Sequence, residues 1–260
     1  MLKTAISAAR SAAKILMDNF GKISPNDIRR KSANDFLTFV DEEAEKKIIE
    51  TIHQSFPSHA ILAEESGLSE ETSEYEWIID PLDGTTNYIF GVPIFAVSIG
   101  VRYNKKLRLG VVLDPVKNEL FYAEKNKGAF LNGKPIHTST NQRLEECLFA
   151  TGFPFKFKEY LTTYLNCFHD IFMQCNGARR MGSAALDLSY VACGRFDFFW
   201  EVGLNPWDIA AGSVIIDEAG GQVSDFWGKD NHFKNGFYVA TNGVIHNHIL
   251  EIIQRHFKSD

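Results

Sequence analysis

The chain has 260 residues, of which 45% are hydrophobic and 13% aromatic. This is enough apolar material for one large core or for two closely packed subdomains. Charged residues make up 23%, which argues against a globally disordered chain. The net charge is −6, and the sequence has no concentrated basic face, so we expect no nucleic-acid partner.

The cysteines and the apolar segments point to a cytoplasmic protein. None of the four cysteines forms a C-x-x-C pair or a zinc-binding spacing, so we expect reduced and mostly buried thiols. Charged residues such as Lys3, Arg10 and Asp18 interrupt the N-terminal segment, which favours an amphipathic helix over a targeting signal. The apolar run over 92–101 is too short to span a bilayer, so no membrane partner is expected.

The first half of the chain is predicted to be an antiparallel sheet with helices packed against it. Hydrophobic periodicity predicts helices over 2–20 and 41–56, which end at Gly21 and before Pro57. The polar segment 66–76 is predicted to be a solvated loop. Short apolar or alternating runs predict strands over 60–63, 95–101, 109–113, 119–124 and 128–131, with turns at 114–115 and at Asn132-Gly133.

The second half alternates strands with helices, which predicts an α/β layer. Strands are expected over 148–152, 196–201 and 236–241, and helices over 160–174, 183–193, 207–220 and 248–257, the second of them capped by Ser183. The polar segment 138–143 is a candidate junction. We therefore divide the chain into an N-terminal α+β subdomain over 1–138, which carries most candidate metal ligands, and a C-terminal α/β subdomain over 139–260, which supplies Asp208.

The segment 77–87, with the sequence WIIDPLDGTTN, combines cation ligands with an anion-binding turn. A hydrophobic strand ends in Asp80 and Asp83, whose carboxylates are hard oxygen ligands. Gly84, Thr85 and Thr86 follow directly, and they offer backbone N–H groups and hydroxyls where a helix could begin. Cation ligands next to an anion cradle are what a metal-assisted phosphate enzyme needs.

Other acidic residues also stand where elements end. Glu64 follows a strand and Asp208 opens a helix, so both can converge with the aspartates of the 77–87 segment. Asp80 can bridge two Mg²⁺ ions, with Glu64 and the Leu82 carbonyl completing one site and Asp83 and Asp208 the other. Two ions about 3.5–4 Å apart can hold both the attacking and the leaving oxygen of an in-line displacement.

Each of these features also has an ordinary structural explanation when it is taken alone. Asp-Pro and Asp-Gly pairs are common in turns, an aspartate after tryptophan is a good helix cap, and a pair of glutamates is a usual surface feature. Their occurrence together, in order and at the ends of elements, favours a functional site.

Four blocks of the sequence resemble the inositol monophosphatase family, in its bacterial branch. The third block, 77–87, is the most specific when taken with Trp207-Asp208. Asn205 stands where animal members of the family carry histidine, so the polyol pocket can differ from theirs. Phe36-Leu37 replaces a smaller apolar pair, and we expect this pair to serve packing. The other blocks are Lys31 to Asp35 with Thr38 to Asp41, then Glu64 to Ser66, and last Gly182 to Leu186 with Glu201, Pro206 to Gly212 and Glu218 to Gly221.

This resemblance implies a layered αβαβα sandwich of the inositol monophosphatase and fructose-1,6-bisphosphatase type, of the α+β or α/β class. It also implies a homodimer that requires two or three Mg²⁺ ions per site and is inhibited by Li⁺. The implied metal ligands are Glu64, Asp80, Leu82 through its carbonyl, Asp83 and Asp208. The implied catalytic residues are Asp41, Glu64 and Thr85, with Asp41 and Thr85 orienting the nucleophilic water. The implied substrate-binding residues are Asp83, Gly84, Thr85, Ala184 through its N–H, Glu201 and Asp208.

The implied activity is Mg²⁺-dependent hydrolysis of inositol monophosphate, of the myo-inositol 1-phosphate type, by in-line attack of a metal-activated water. The same chemistry on fructose 1,6-bisphosphate or histidinol phosphate stays open; 3′-phosphoadenosine 5′-phosphate is less expected because the chain is short. The bisphosphate alternative depends on whether Lys31, Arg179 or Arg180 reaches a second phosphate. An alternative of another class is a regulatory or binding protein that keeps the fold without turnover.

Overall fold

The structure is a computed structural model that describes residues 1–24, 27–32, 35–69, 73–155 and 157–258, without the side chains of residues 30–32 and 35. The helices of the described residues are α1 (Leu2–Asn19), α2 (Phe39–His53), α3 (Thr85–Ile89), α4 (Leu161–Phe172), α5 (Ala184–Ala192), α6 (Pro206–Glu218), α7 (His232–Asn235) and α8 (His246–His256). The strands are β1 (Ile28–Ser32), β2 (Asp35–Thr38), β3 (Ala60–Ala63), β4 (Gly67–Leu68), β5 (Tyr75–Asp83), β6 (Ala96–Tyr103), β7 (Lys106–Asp114), β8 (Glu119–Glu124), β9 (Ala129–Leu131), β10 (Lys134–Ile136), β11 (Leu148–Thr151), β12 (Gly177–Arg179), β13 (Phe198–Val202), β14 (Gln222–Ser224) and β15 (Phe237–Thr241).

The larger sheet has eight strands in the order β10-β9-β8-β7-β6-β5-β3-β4. From β5 to β10 neighbouring strands are antiparallel, as predicted, but β3 and β5 run parallel. β4 pairs with β3 in the antiparallel direction, on the side of β3 away from β5. Because β3 and β5 are parallel, their ends lie side by side, and the Glu64 N–H donates to the Ile79 carbonyl at 3.1 Å.

The smaller sheet has five strands in the order β12-β11-β13-β15-β14. The strands β12, β11 and β13 are parallel, and β15 joins β13 and β14 by antiparallel pairing. Parallel strands connected through helices are what the alternation of the second half predicts.

Three hydrophobic clusters join these elements into five layers. The first lies between α1, α2 and one face of the larger sheet, where Trp77 and Ile99 are buried. The second packs α5 and α6 between the two sheets. The third covers the far face of the smaller sheet with α4 and α8, around Trp200. The layers alternate as α, β, α, β, α, and this order confirms the predicted sandwich.

Most predicted elements are present, and several short ones were not predicted. The Asn132-Gly133 turn is confirmed: both residues have positive φ, 49° and 80°, between the paired strands β9 and β10. The segment predicted to be a loop over 66–76 contains β4 and the first residues of β5, and residues 70–72 lie outside the described residues. Sequence periodicity also missed the antiparallel pair β1 and β2, and β10, β12, β14 and α7, because runs of three to five residues are too short to show a period.

The division into 1–138 and 139–260 stays a prediction, and α6 of the second part packs on β6, β7 and β8 of the first.

Within the described part of the chain, no helix has the length and apolar character needed to cross a membrane.

Candidate active site

A bulge in β5 brings Asp80 and Asp83 to the same face of the larger sheet. In a regular strand, residues three apart point to opposite faces. Here Asp80 pairs with Ser98 and Asp83 pairs with Ala96, so an advance of three residues along β5 matches an advance of two residues along β6. The extra residue at this β-bulge reverses the alternation, and Pro81 fits there because it has no N–H to offer the ladder. The Asp80 carboxylate also accepts a hydrogen bond from the Leu82 N–H at 2.9 Å.

Asp208 reaches these two carboxylates from α6, which lies directly on the sheet. A Cβ atom at Gly100 would stand 2.7 Å from Ala210 Cβ, and one at Gly110 would stand 2.3 Å from the Ala211 carbonyl oxygen. Only glycines in β6 and β7 allow the helix to approach so closely. Asp208 lies in the first turn of α6 and accepts the Asn205 N–H at 2.6 Å in a capping box.

Asp80, Asp83 and Asp208 form one acidic cluster, since one carboxylate oxygen from each lies within 4.8 Å of the others. Burial, followed by the negative charges of Glu64, Asp83 and Asp208, raises the pKa of Asp80 well above its usual value. Burial, followed by the negative charges of Asp83, Glu64 and Glu201, also raises the pKa of Asp208 well above the usual value. Burial raises the pKa of Asp83 to about 6. Without a cation these groups therefore keep their protons to a higher pH than a solvent-exposed aspartate does.

This donor set fits Mg²⁺. It offers only hard oxygen ligands, which are the ligands that Mg²⁺ prefers, and the charge of a divalent cation would offset the mutual repulsion of the carboxylates. Glu64 and Leu82 line the same cavity as the three aspartates, so all five predicted metal ligands line one cavity.

Asp83 is fixed by the N-terminus of α5. Its Oδ2 accepts hydrogen bonds from Ser183 Oγ at 2.5 Å and from the Ala185 N–H at 2.7 Å. Ser183 caps α5 as predicted, since its Oγ also accepts the Leu186 N–H. This second contact of Ser183, with a carboxylate 100 positions away, was not predicted.

Asp41 and Thr85 are in contact behind the carboxylate cluster. Thr85 Oγ1 lies 3.1 Å from Asp41 Oδ1 and 3.0 Å from the Leu82 carbonyl oxygen. The hydroxyl has a single proton, so it donates a hydrogen bond to one of these two acceptors at a time. Thr38 caps α2, and both its N–H and its hydroxyl donate to Asp41 Oδ2, at 2.9 and 2.6 Å. Burial, which outweighs these hydrogen bonds, raises the pKa of Asp41 to about 6. Asp41 is buried and does not line the cavity.

A cavity of about 460 Å³ opens over the cluster. Phe36, which was expected to serve packing, is part of its lining, as are Asn205 and Arg180. Arg179 does not line it; the guanidinium of Arg179 donates to the Ala178 carbonyl at 2.9 Å. The side chain of Lys31 lies outside the described residues. Every predicted substrate-binding residue also lines the cavity, namely Asp83, Gly84, Thr85, Ala184, Glu201 and Asp208.

Two further residues bear on this site and were not predicted. The Asn87 side-chain amide donates to the carbonyls of Ile94 and Met181, both at 2.8 Å, and so ties α3 to the segment that precedes α5. Asp187 in α5 is buried and lines the cavity. The sequence holds one signal that could have identified Asp187: it is the charged residue in the otherwise apolar run 184–188.

Comparison with known proteins agrees with this geometry. The model of the inositol monophosphatase family matches residues 1–258. The chain belongs to the inositol monophosphatase family. Nus factor SuhB of Escherichia coli K12 is 50% identical to it over 243 residues, which are 93% of this chain and 91% of that protein.

Solved structures of the inositol monophosphatase family share the fold over almost the whole chain. The extragenic suppressor protein suhB of Bartonella henselae superposes with a TM-score of 0.95 at 36% identity, over 98% of this chain and 99% of that one. The inositol monophosphatase of Thermotoga maritima superposes with a TM-score of 0.89 at 37% identity, over 98% of this chain and 96% of that one. The shared fold therefore extends over almost the whole of this chain.

Proposed function

We propose that this protein is a Mg²⁺-dependent phosphomonoesterase that hydrolyses inositol monophosphate, of the myo-inositol 1-phosphate type, to inositol and phosphate. The observation that carries the proposal is the cluster of Asp80, Asp83 and Asp208, whose oxygens lie within 4.8 Å of one another at the wall of the cavity. Membership of the inositol monophosphatase family supports the same reaction class.

The metal ligands would be Glu64, Asp80, Asp83, Asp208 and the Leu82 carbonyl. When bound there, Mg²⁺ supplies an activated water and neutralises charge on the leaving oxygen. Because phosphoryl transfer depends mainly on positioning and on charge stabilisation, the chain needs no covalent nucleophile for this reaction.

Asp41 and Thr85 would orient the attacking water. Thr85 Oγ1 faces both Asp41 and the Leu82 carbonyl, so the hydroxyl is held at the edge of the carboxylate cluster. Thr38 keeps the Asp41 carboxylate in place through two hydrogen bonds. In this arrangement Thr85 contacts the water, and Asp41 draws the hydroxyl proton towards itself, which leaves a lone pair of Oγ1 to accept a proton of the water.

The phosphate would bind at Gly84 and Thr85, and the hydroxyls of the polyol at Glu201 and the Ala184 N–H. Glu201 stands at the end of β13 and is part of the cavity lining. Carboxylate oxygens and backbone N–H groups are suited to bind hydroxyls, which both donate and accept hydrogen bonds.

A bisphosphate substrate is the first alternative, and Arg180 is the observation that favours it. Among the described residues that line the cavity, Arg180 is the one with a cationic side chain. A guanidinium there could bind a second phosphate of fructose 1,6-bisphosphate.

A regulatory or binding role without turnover is the second candidate. It is favoured by the name of the Escherichia coli relative, which is called a Nus factor. A homodimer, which the family resemblance implies, is compatible with either function.

A substrate screen tests the proposal. The purified protein is assayed for phosphate release from myo-inositol 1-phosphate, fructose 1,6-bisphosphate and histidinol phosphate, with Mg²⁺, with Mg²⁺ and Li⁺, and with EDTA. We expect the highest kcat/KM for myo-inositol 1-phosphate, inhibition by Li⁺ and no activity in EDTA. Turnover that is indifferent to EDTA would contradict the metal assignment, and the absence of turnover on every ester would favour the binding role.

Asp83→Asn tests the carboxylate cluster directly. The amide keeps an acceptor for Ser183 and Ala185 but removes a charge from the cation site, so we expect kcat to fall at least ~100-fold while the protein stays folded. The control is Asp114→Asn, a buried carboxylate that accepts the Val116 and Lys117 N–H groups outside the cavity and should leave kcat unchanged. Full turnover in Asp83→Asn would show that the metal ligands are wrongly assigned.

A further inference from the structure

Asp187 is a buried carboxyl group at the cavity wall that lacks a full set of partners. The residue is 2% exposed, and no described residue gives its Oδ1 a hydrogen bond. It lies in the first half of α5, and its neighbours Leu186 and Leu188 are buried in the core between the two sheets. A buried polar atom without a partner is destabilising, so its presence calls for a functional explanation.

Asp187 lies near Glu201, which is proposed to bind the polyol, and also near Asp83, a proposed metal ligand. The lining of the same cavity includes Thr151 and Gly152 at the end of β11, Glu201 at the end of β13, and Arg180. Glu201, Asp83 and Arg180 lie close enough for their charges to act on Asp187. Asp187 and Glu201 offer oxygen acceptors, and the negative charge of Glu201 repels a phosphate, so this part of the cavity is better suited to hydroxyl groups than to a second phosphate.

Glycine at position 152 makes room for the Glu201 carboxylate in the same wall. A Cβ atom on Gly152 would lie 2.0–2.2 Å from the Glu201 carboxylate atoms, so the carboxylate rests against bare backbone. Glu201 and Asp187 thus belong to the lining of one cavity and come from two different elements, β13 and α5.

We propose that Asp187 is a substrate-binding residue that determines specificity by hydrogen bonding a hydroxyl of the group esterified to the phosphate. The inference deepens the proposed function and rests on it, because it assigns to the leaving group a second carboxyl contact beside Glu201. The last torsion of an aspartate side chain is soft, so a small rotation turns its unpartnered oxygen towards a bound hydroxyl. A site built in this way discriminates against esters that lack the hydroxyl, since the buried oxygen is then left unpaired.

The protonation state of Asp187 fits this role. Burial, and then the charges of Glu201 and Asp83, raise its pKa well above the usual value of an aspartate, while Arg180 opposes this rise. A neutral carboxyl group has one O–H donor as well as acceptor oxygens, and a polyol hydroxyl can use either.

The test compares Asp187→Leu and Asp187→Asn with the unmodified protein on two esters, in the presence of Mg²⁺. Myo-inositol 1-phosphate carries hydroxyls around its ring, and phenyl phosphate carries none. For Asp187→Leu we expect the KM for myo-inositol 1-phosphate to rise at least ~10-fold, because the hydroxyl loses its partner, with kcat little changed. The KM for phenyl phosphate should stay within about 2-fold, and Asp187→Asn, which keeps a donor and an acceptor, should lie close to the unmodified protein on both esters.

Ser189→Ala is the matched control on the same helix. Ser189 is fully buried, and its hydroxyl donates to the Ala185 carbonyl at 2.8 Å, away from the cavity lining. This variant should leave both KM values unchanged. If Asp187→Leu raises KM for the two esters equally, or for neither, Asp187 is a structural residue and the inference is overturned.

Failure of the proposed function can be told apart from failure of this inference. If the unmodified protein releases phosphate from neither ester, the proposed function fails, and calorimetric binding of myo-inositol 1-phosphate becomes the measurement. Binding that is at least ~10-fold weaker in Asp187→Leu than in the unmodified protein would then still support the contact. Equal affinity, or no binding to either protein, would overturn it.

Discussion

At the scale of single residues, the position of the Glu201 carboxylate depends on the absence of a side chain at residue 152. Any Cβ there would stand within 2.2 Å of the carboxylate. The clash is with the end of a flexible side chain rather than with backbone, so Glu201 can move aside at a small cost in stability. Its hydrogen-bonding atoms would then leave the place where the polyol is proposed to bind.

Gly152→Ala should therefore impair binding without unfolding the protein. We expect KM for myo-inositol 1-phosphate to rise by about 10-fold, because a displaced carboxylate no longer meets the hydroxyl. The midpoint of thermal unfolding should change little. Steady-state kinetics and calorimetry check this, and an unchanged KM would mean that Glu201 does not contact the substrate.

Several single-residue features were accessible from the sequence, and others were not. Asp80 and Asp83 stand out because the motif places two carboxylates at the end of an apolar strand. Asp41 was identified only through the family resemblance, since within α2 it looks like any capping-box acid. Asp187 was missed because its meaning depends on the cavity that it faces, and this cavity is formed by residues distant in the sequence.

At the scale of elements, the close packing of α6 on the larger sheet positions Asp208. The helix lies against Gly100 in β6 and Gly110 in β7, where any side chain would meet the backbone or the Cβ atoms of the helix. Glycine in a strand interior usually weakens the strand, so its use here indicates a close approach of two elements.

Gly110→Ala should lift α6 from the sheet and displace Asp208. Because the new Cβ would meet the Ala211 backbone, we expect the free energy of unfolding to fall by about 1–3 kcal/mol and Mg²⁺ to bind more weakly. Urea denaturation and Mg²⁺ titration measure these effects. In the control, Gly177→Ala, the nearest atom is a Leu148 methyl at 3.4 Å, and stability should stay within about 0.5 kcal/mol. Equal behaviour of the two variants would contradict this account of the helix packing.

At the scale of the whole molecule, the fold gathers negative charge that the metal-free protein must tolerate. Burial raises the pKa values of Asp41 and Asp83 to about 6, and burial and negative neighbours raise those of Asp80 and Asp208 well above the usual value. In the unfolded chain these carboxyl groups lose their protons near pH 3.8, the ordinary pKa of an aspartate. Above that value the folded state holds more protons than the unfolded one, so these groups make stability fall as the pH rises through about 6.

Mg²⁺ should reverse this dependence. The ion binds the charged carboxylates, so its affinity rises with pH as the protons leave. We expect Mg²⁺ to raise the thermal midpoint clearly at pH 7.5 and little at pH 5, since binding to the folded state stabilises it by about 2.7 kcal/mol at 100 times Kd. Calorimetric scans with Mg²⁺ and with EDTA at both pH values measure the difference. The same shift at pH 5 and 7.5 would mean that the ion binds elsewhere.

The sequence by itself determined the residue types of the site, the family and most of the longer elements, because these depend on local periodicity, capping and turn chemistry. Only the tertiary structure decided that β3 runs parallel to β5, that a bulge turns Asp80 and Asp83 to the same side, and that α6 lies close enough to add Asp208. These features depend on contacts between segments far apart in the chain. No local pattern encodes such distances, and a shift of one residue in register would send a carboxylate to the opposite face of the sheet.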